Sequence, residues 1–95
     1  MYGVVRRVQA DATTLQEFAQ RIQGVVPELQ QVHGFVSFTV IVSGDTLVSI
    51  SIYQDKAGAD QSTAIALRYV QEEWVDLKLN PPEITSGDVP VHATP

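Results

Sequence analysis

The stretch from Phe35 to Asp55, FVSFTVIVSGDTLVSISIYQD, alternates with a period of two on either side of Ser-Gly-Asp. That alternation predicts a hairpin, Phe35 to Val42 and Thr46 to Tyr53, with a three-residue loop that pairs Val42 with Thr46. In this register Val36, Phe38, Val40, Val42, Val48, Ile50 and Ile52 share one side. The other side carries Phe35, Ser37, Thr39, Ile41, Leu47, Ser49, Ser51 and Tyr53, none of them charged. Upstream, Tyr2 to Val8 reads as a strand with Arg6 and Arg7 on opposite faces. Leu15, Phe18, Ala19, Ile22, Val25, Val26 and Leu29 then recur at steps of three and four, the apolar stripe of a helix. Thr14 with Glu17 has the spacing of a capping box for its start. Gly24 and Pro27 predict a kink or break near Val26, with a short helical piece to Val32 before His33-Gly34 ends it. Asp55 has the chemistry of the next N-cap, and Ala64, Leu67, Val70, Trp74 and Leu77 form a second stripe that Pro81-Pro82 stops. A last strand is expected from Ile84 to Val91, where Pro90 suits a sheet edge.

The order β-α-β-β-α-β predicts an α+β, ferredoxin-like fold: a four-stranded antiparallel sheet with both helices on one face, as one domain over residues 1 to 95. A solvated sheet face carries Lys, Glu and Arg, so the uncharged second face predicts a cover, and a second copy of the chain is the expected one. Its hydroxyls leave room between two such sheets and can bond to backbone, water or a ligand.

Composition narrows the functions. Ninety-five residues bury about two thirds of the surface of the unfolded chain, so a partner would help. Hydrophobic content of 44% with 18% charged residues excludes a disordered chain, and no apolar run reaches the roughly 20 residues of a membrane span. MYGVVRRVQA shows strand alternation where a secretory signal would place a long apolar segment, so a cytoplasmic location is expected. The absence of Cys excludes a disulfide framework, a thiolate metal site and a Cys nucleophile. A net charge of -5 disfavours nucleic acid, which binds through excess cations. The chain also lacks the Lys/Arg-Gly-Phe segment of RNA-recognition domains and the Cys-x-x-Cys of metallochaperones.

YGVVRRV in the first strand, GFVSFTV entering the second, LVSISIYQD running into the second helix and EEWV late in it together resemble the dimeric α+β barrel superfamily, in particular the antibiotic-biosynthesis-monooxygenase-like domains. The resemblance spans nearly the whole chain. It implies two sheets closing over a shared lumen, and activities that include cofactor-independent oxygenation of phenols and haem degradation. The haem degraders' pattern is similar to an Asn in the first strand with a Trp and a His on the second helix. Here the strand has Arg6 and Arg7, and Trp74 stands in QSTAIALRYVQEEWVDLKL without any His, so haem degradation is not expected. The phenol-oxidising members resemble a lumen lined by Tyr, Trp, Asn and Arg, for which Tyr53, Tyr69, Trp74 and Arg6 or Arg7 are the candidates.

Those five residues are the candidate ligand-binding set. One of the two arginines must face the covered surface, where a lone cation is costly without a carboxylate such as Glu83 or Asp88, or a ligand anion. Trp74 lies on the second stripe, Tyr69 at its margin, and Tyr53 at the end of the uncharged face. Phe35, Ser37, Thr39, Ile41, Leu47, Ser49 and Ser51 are the expected lining of a lumen or dimer interface. The serines and threonine have no His and Asp placed for a nucleophilic triad, so no catalytic residue is singled out. His33 and His92 lack metal-ligand spacing, Glu72, Glu73 and Asp76 read as a solvated helix face beside Lys78, and neither metal nor cofactor is expected. Two functions fit: a small-molecule-binding homodimer resembling cofactor-independent monooxygenases of aromatic metabolites, or a non-enzymatic structural or interaction module of the same fold. An enclosed space of roughly 300 Å³ with Arg and Tyr converging on it separates the first from the second.

Overall fold

The computed structural model describes all residues from Met1 to Pro95. Its elements are β1 (Tyr2–Gln9), α1 (Ala12–Gln30), β2 (Phe35–Ser43), β3 (Thr46–Tyr53), α2 (Lys56–Arg68) and β4 (Glu83–Asp88), with one π-helical turn, Tyr69–Glu73, continuing α2. The sheet order is β2-β3-β1-β4 and every neighbouring pair is antiparallel. Both helices pack on one face, which is the α+β, ferredoxin-like arrangement that the alternation of elements predicts. No helix is long and apolar enough to cross a membrane.

Local chemistry moves several boundaries. Asp11, not Thr14, caps α1: its carboxylate accepts the Thr14 amide at 2.9 Å and the Thr14 hydroxyl at 3.0 Å. An anionic cap satisfies an orphan amide and also suits the positive end of the helix dipole. Glu17 instead accepts from Arg21 Nε at 2.9 Å, one turn along. The expected break at Val26 does not occur, and α1 runs through Pro27 to Gln30. Pro27 removes one amide, but Val25 and Leu29 on either side of it are buried, and tertiary packing of the apolar face outweighs local propensity.

The hairpin corrects the expected register. Ser43 pairs with Thr46 and Val42 with Leu47, so the loop has two residues, Gly44 and Asp45. Gly44 has φ +58° at the first central position, the place where a type II′ hairpin turn requires glycine. One residue of difference turns β3 over. Leu47, Ser49, Ser51 and Tyr53 face the helices and are buried, whereas Val48, Ile50 and Ile52 face the open side. Phe38 and Val40 keep their expected helix-side position, and an irregularity between Phe35 and Ser37 brings Phe35 to the same side, edge-on to Tyr53 with ring centroids 5.9 Å apart.

Reading the register across all four strands gives helix-facing rows of Val40, Ser49, Arg6 and Ile84, and of Phe38, Ser51, Val4 and Ser86. The open face has rows of Ser37, Ile52, Gly3 and Gly87, then Thr39, Ile50, Val5 and Thr85, then Ile41, Val48, Arg7 and Glu83. Ser37, Thr39 and Ile41 are therefore on the open face as expected, while Phe35, Leu47, Ser49, Ser51 and Tyr53 are not. In these rows the open face has charge only at one end, and with Val5, Ile41, Val48, Ile50 and Ile52 it is more apolar than the set read from the sequence.

α2 also differs from its reading. Asp55 caps it as expected, its carboxylate accepting the Gly58 amide at 3.1 Å. The buried face, however, is Gly58, Ala59 and Ser62, and Leu67 and Val70 are 53% and 42% exposed. The α-helix ends at Arg68, well short of Pro81, and the π-helical turn closes with the Trp74 amide donating to the Tyr69 carbonyl at 2.8 Å. β4 stops at Asp88, before Pro90, and occupies the sheet edge.

Candidate functional site

Small residues let the first turns of α2 lie close to the sheet. A Cβ built on Gly58 would stand 2.8 Å from the His33 carbonyl oxygen and 3.2 Å from Tyr53. Beyond Ser62 burial falls away, through half-buried Ala66 to exposed Leu67, so the helix and sheet enclose a wedge of space. That wedge is a cavity of about 330 Å³, within the range of small-molecule sites. Phe18, Ile22, Val25 and Leu29 of α1 form one wall; Val8, Phe38, Leu47 and Ser49 of the sheet form its floor; Ala66, Leu67, Val70 and Trp74 form the opposite side; and Leu79 to Pro82 with Ile84 border the rest. This space lies within a single chain, between the sheet and its helices, and not between two sheets where the sequence led one to look.

Arg6 contributes the only charged side chain of the lining. It is half-buried, its Nη2 donates to Thr63 Oγ1 at 2.6 Å, and the Thr63 hydroxyl in turn donates to the Ala59 carbonyl at 3.0 Å. No carboxylate lies within ion-pairing distance of Arg6; the expected carboxylate Glu83 stands across the sheet from Arg7, the arginine of the open face. Burial lowers the guanidinium's pKa from its ordinary value, with the proximity of Tyr53 acting in the opposite sense. Arg7 is exposed on the other face, opposite Glu83 in register.

Trp74 lines the cavity and is held by an edge contact with Phe18, centroids 5.6 Å apart at 78°, and a tilted contact with Tyr69 at 5.1 Å. Tyr69 stands behind it, outside the lining, where its hydroxyl donates to Glu28 at 3.4 Å. Arg68 donates to both oxygens of the same Glu28 at 3.1 and 2.9 Å and lies 5.0 Å from the centre of the Tyr69 ring, an arrangement that raises the Arg68 pKa. Arg21 grips Asp76 through two 2.8 Å bonds and so holds its carboxyl below the usual carboxylate range. Asp76 is therefore a tether between α1 and the segment after α2, where the sequence suggested a merely solvated acid. Tyr53 is fully buried among Val4, Val32 and Ala59, away from both the cavity and the open face.

Of the five candidate ligand contacts, Arg6 and Trp74 meet at the cavity, and Arg7, Tyr53 and Tyr69 do not. Among the expected lining residues only Leu47 and Ser49 join them. Thr63, Phe18 and Ile84, which also line the cavity, were not among the expected site residues. The signal for Thr63 was the run of small side chains Gly58, Ala59, Ser62, Thr63 and Ala66, which marks a helix face too slight to fill the space beneath it.

No protein-family model and no curated protein matches the chain. Solved structures do. A protein of unknown function from Nitrosomonas europaea superposes with a TM-score of 0.82 at 18% identity, over 99% of this chain and 93% of the other. A putative antibiotic biosynthesis monooxygenase from Deinococcus radiodurans gives 0.80 at 11% identity, over 99% and 97%. The haem degrader MhuD of Mycobacterium tuberculosis, with two haems in its active site, gives 0.75 at 8%, over 99% and 100%. At these identities the likeness is one of fold, and that fold is the one the strand and helix segments of the sequence resemble. Haem iron takes His, Cys, Met or Tyr as its axial ligand. The cavity lining contains none of the four, so its residues do not fit haem.

Proposed function

We propose that this protein binds a small, largely apolar molecule in the cleft between its helices and sheet, and that it does so as a homodimer in the cytoplasm. The observation that carries the reading is the cavity of about 330 Å³, walled by aromatic and aliphatic side chains and broken by few polar groups. The homodimer is supported by the open face, where Val5, Ile41, Val48, Ile50 and Ile52 form an apolar surface that a second sheet would cover. The cysteine-free composition requires no oxidising compartment.

The finer reading is cofactor-independent oxygenation of an aromatic metabolite, supported by fold likeness to the named monooxygenase and by Phe18, Phe38 and Trp74 converging on the cavity. In that reaction an electron-rich aromatic anion itself reduces dioxygen, carbon-oxygen bond formation gives a hydroperoxide, and loss of water leaves a carbonyl. The net change is CH₂ + O₂ → C=O + H₂O. The protein's part is to hold the ring and exclude bulk water. Dioxygen uptake with polycyclic phenols, followed by ¹⁸O incorporation into the product, tests it. Binding without uptake would reduce the function to binding, and neither binding nor uptake would leave the structural-module alternative.

A further inference from the structure

We infer that the ligand of this cleft is an organic acid, whose carboxylate is received by the guanidinium of Arg6 while its apolar body fills the space toward Trp74; this rests on the binding reading proposed above. A guanidinium half removed from water needs an acceptor for its donors, and here the protein gives it one hydroxyl, that of Thr63, and no carboxylate. Arg6 is also anchored on both sides. Its strand is central in the sheet, and Thr63 is itself fixed to the Ala59 carbonyl, so the fork is oriented before any ligand arrives.

The chemical class follows from the count and shape of the donors. A planar fork matches the two oxygens of a carboxylate, and a carboxylate is already ionised at neutral pH, whereas a phenol, with a pKa near 10, must first lose a proton. A phosphate would bring close to two negative charges to a lining with one cation. A cationic ligand would meet a like charge and no acid. Ser49, beside Arg6 in the sheet register, and Ser62, one position before Thr63, add two small hydroxyls at the same end of the cleft, and Asn80 is the one further polar side chain in an otherwise apolar lining. The arrangement separates a polar head from an apolar body.

Trp74 is the chain's only Trp and lines the cleft, so its emission reports on occupancy directly. The probes are octanoate and octanamide, which share a hydrocarbon body and differ in charge. Octanoate is expected to shift Trp74 emission at a concentration at least about tenfold lower than octanamide does, the advantage of hydrogen bonds to a charged group. Arg6→Gln is expected to remove that advantage, so that octanoate and octanamide shift Trp74 emission at similar concentrations. Equal affinity of the two probes for the unaltered protein overturns the carboxylate assignment and leaves the binding cleft standing. A failure of both probes to bind overturns the cleft and the assignment together. An Arg6→Gln protein that loses both probes equally also overturns the assignment, since Arg6 would then be holding the cleft's shape. Should Arg6→Gln not fold, the comparison on the unaltered protein decides alone.

Discussion

Gly58→Ala and Gly24→Ala are chemically the same substitution inside two helices, and the structure assigns them opposite signs. Alanine is favoured over glycine in a helix interior by about 1 kcal/mol. At Gly24 nothing lies within 4 Å of the added methyl, so that gain is expected in full. At Gly58 the methyl would stand 2.8 Å from the His33 carbonyl oxygen, which is backbone, and 3.2 Å from Cβ and Cδ1 of the fully buried Tyr53. Neither neighbour can swing away, so α2 must lift off the sheet and loosen Ala59 and Ser62. Overpacking of this kind costs about 1–3 kcal/mol, which after the propensity gain leaves a net loss of up to about 2 kcal/mol. For a chain of this size each kcal/mol moves the midpoint by about 4–8 °C. Thermal unfolding at one fixed protein concentration, followed by circular dichroism, should show Gly24→Ala melting above the parent and Gly58→Ala below it. A Gly58→Ala protein as stable as Gly24→Ala would refute the close approach of α2, and with it the wedge that opens into the cavity.

Ser49→Leu should fill the cavity floor and abolish the octanoate-induced shift of Trp74 emission while far-ultraviolet dichroism stays native; retained binding would place the ligand elsewhere. Ile50→Lys puts a charge at the centre of the open face, and sedimentation should show the proposed dimer giving way to monomers, whereas an unchanged sedimentation coefficient would mean that this face is not the interface. The Asp76 carboxyl is held below the usual range by Arg21, so its contribution to stability is present above the unfolded pKa of about 3.9 and is lost as pH falls through the lower folded value. Asp76→Asn should accordingly lower the melting temperature modestly near pH 7, converge with the parent at pH values below the folded pKa and so flatten the acid limb, and an unaltered acid limb would show that the tether is idle.

The element order was legible because each segment carries its own period, and the ferredoxin-like sheet followed from that order. The faces of β3 were not. Thr46 to Tyr53 has apolar residues at both parities, Leu47 and Tyr53 on one and Val48, Ile50 and Ile52 on the other, so alternation alone cannot say which side enters the core. Gly44 decides it, because a two-residue turn with glycine first fixes Val42 against Leu47. The buried parity is the less apolar one, since Ser49 and Ser51 are small enough to lie beneath α2 and beside the cavity. Arg6 could be singled out from its pairing with Arg7 on one strand, but its partner could not, because Thr63 belongs to a helix 57 residues away whose approach is set by packing at Gly58. A cavity is harder still to read from a sequence, since it is the residue of many packing distances and no single side chain encodes it.

Amide chemical shifts during a titration of ¹⁵N-labelled protein with octanoate test most directly whether the ligand site lies between the helices and the sheet of one chain. Resonances of Arg6, Thr63, Ala66 and Ile84 are expected to move together while those of Thr39, Ile50 and Ile52 stay in place. Shifts confined to the second group would contradict that expectation and return the ligand to the space between two sheets.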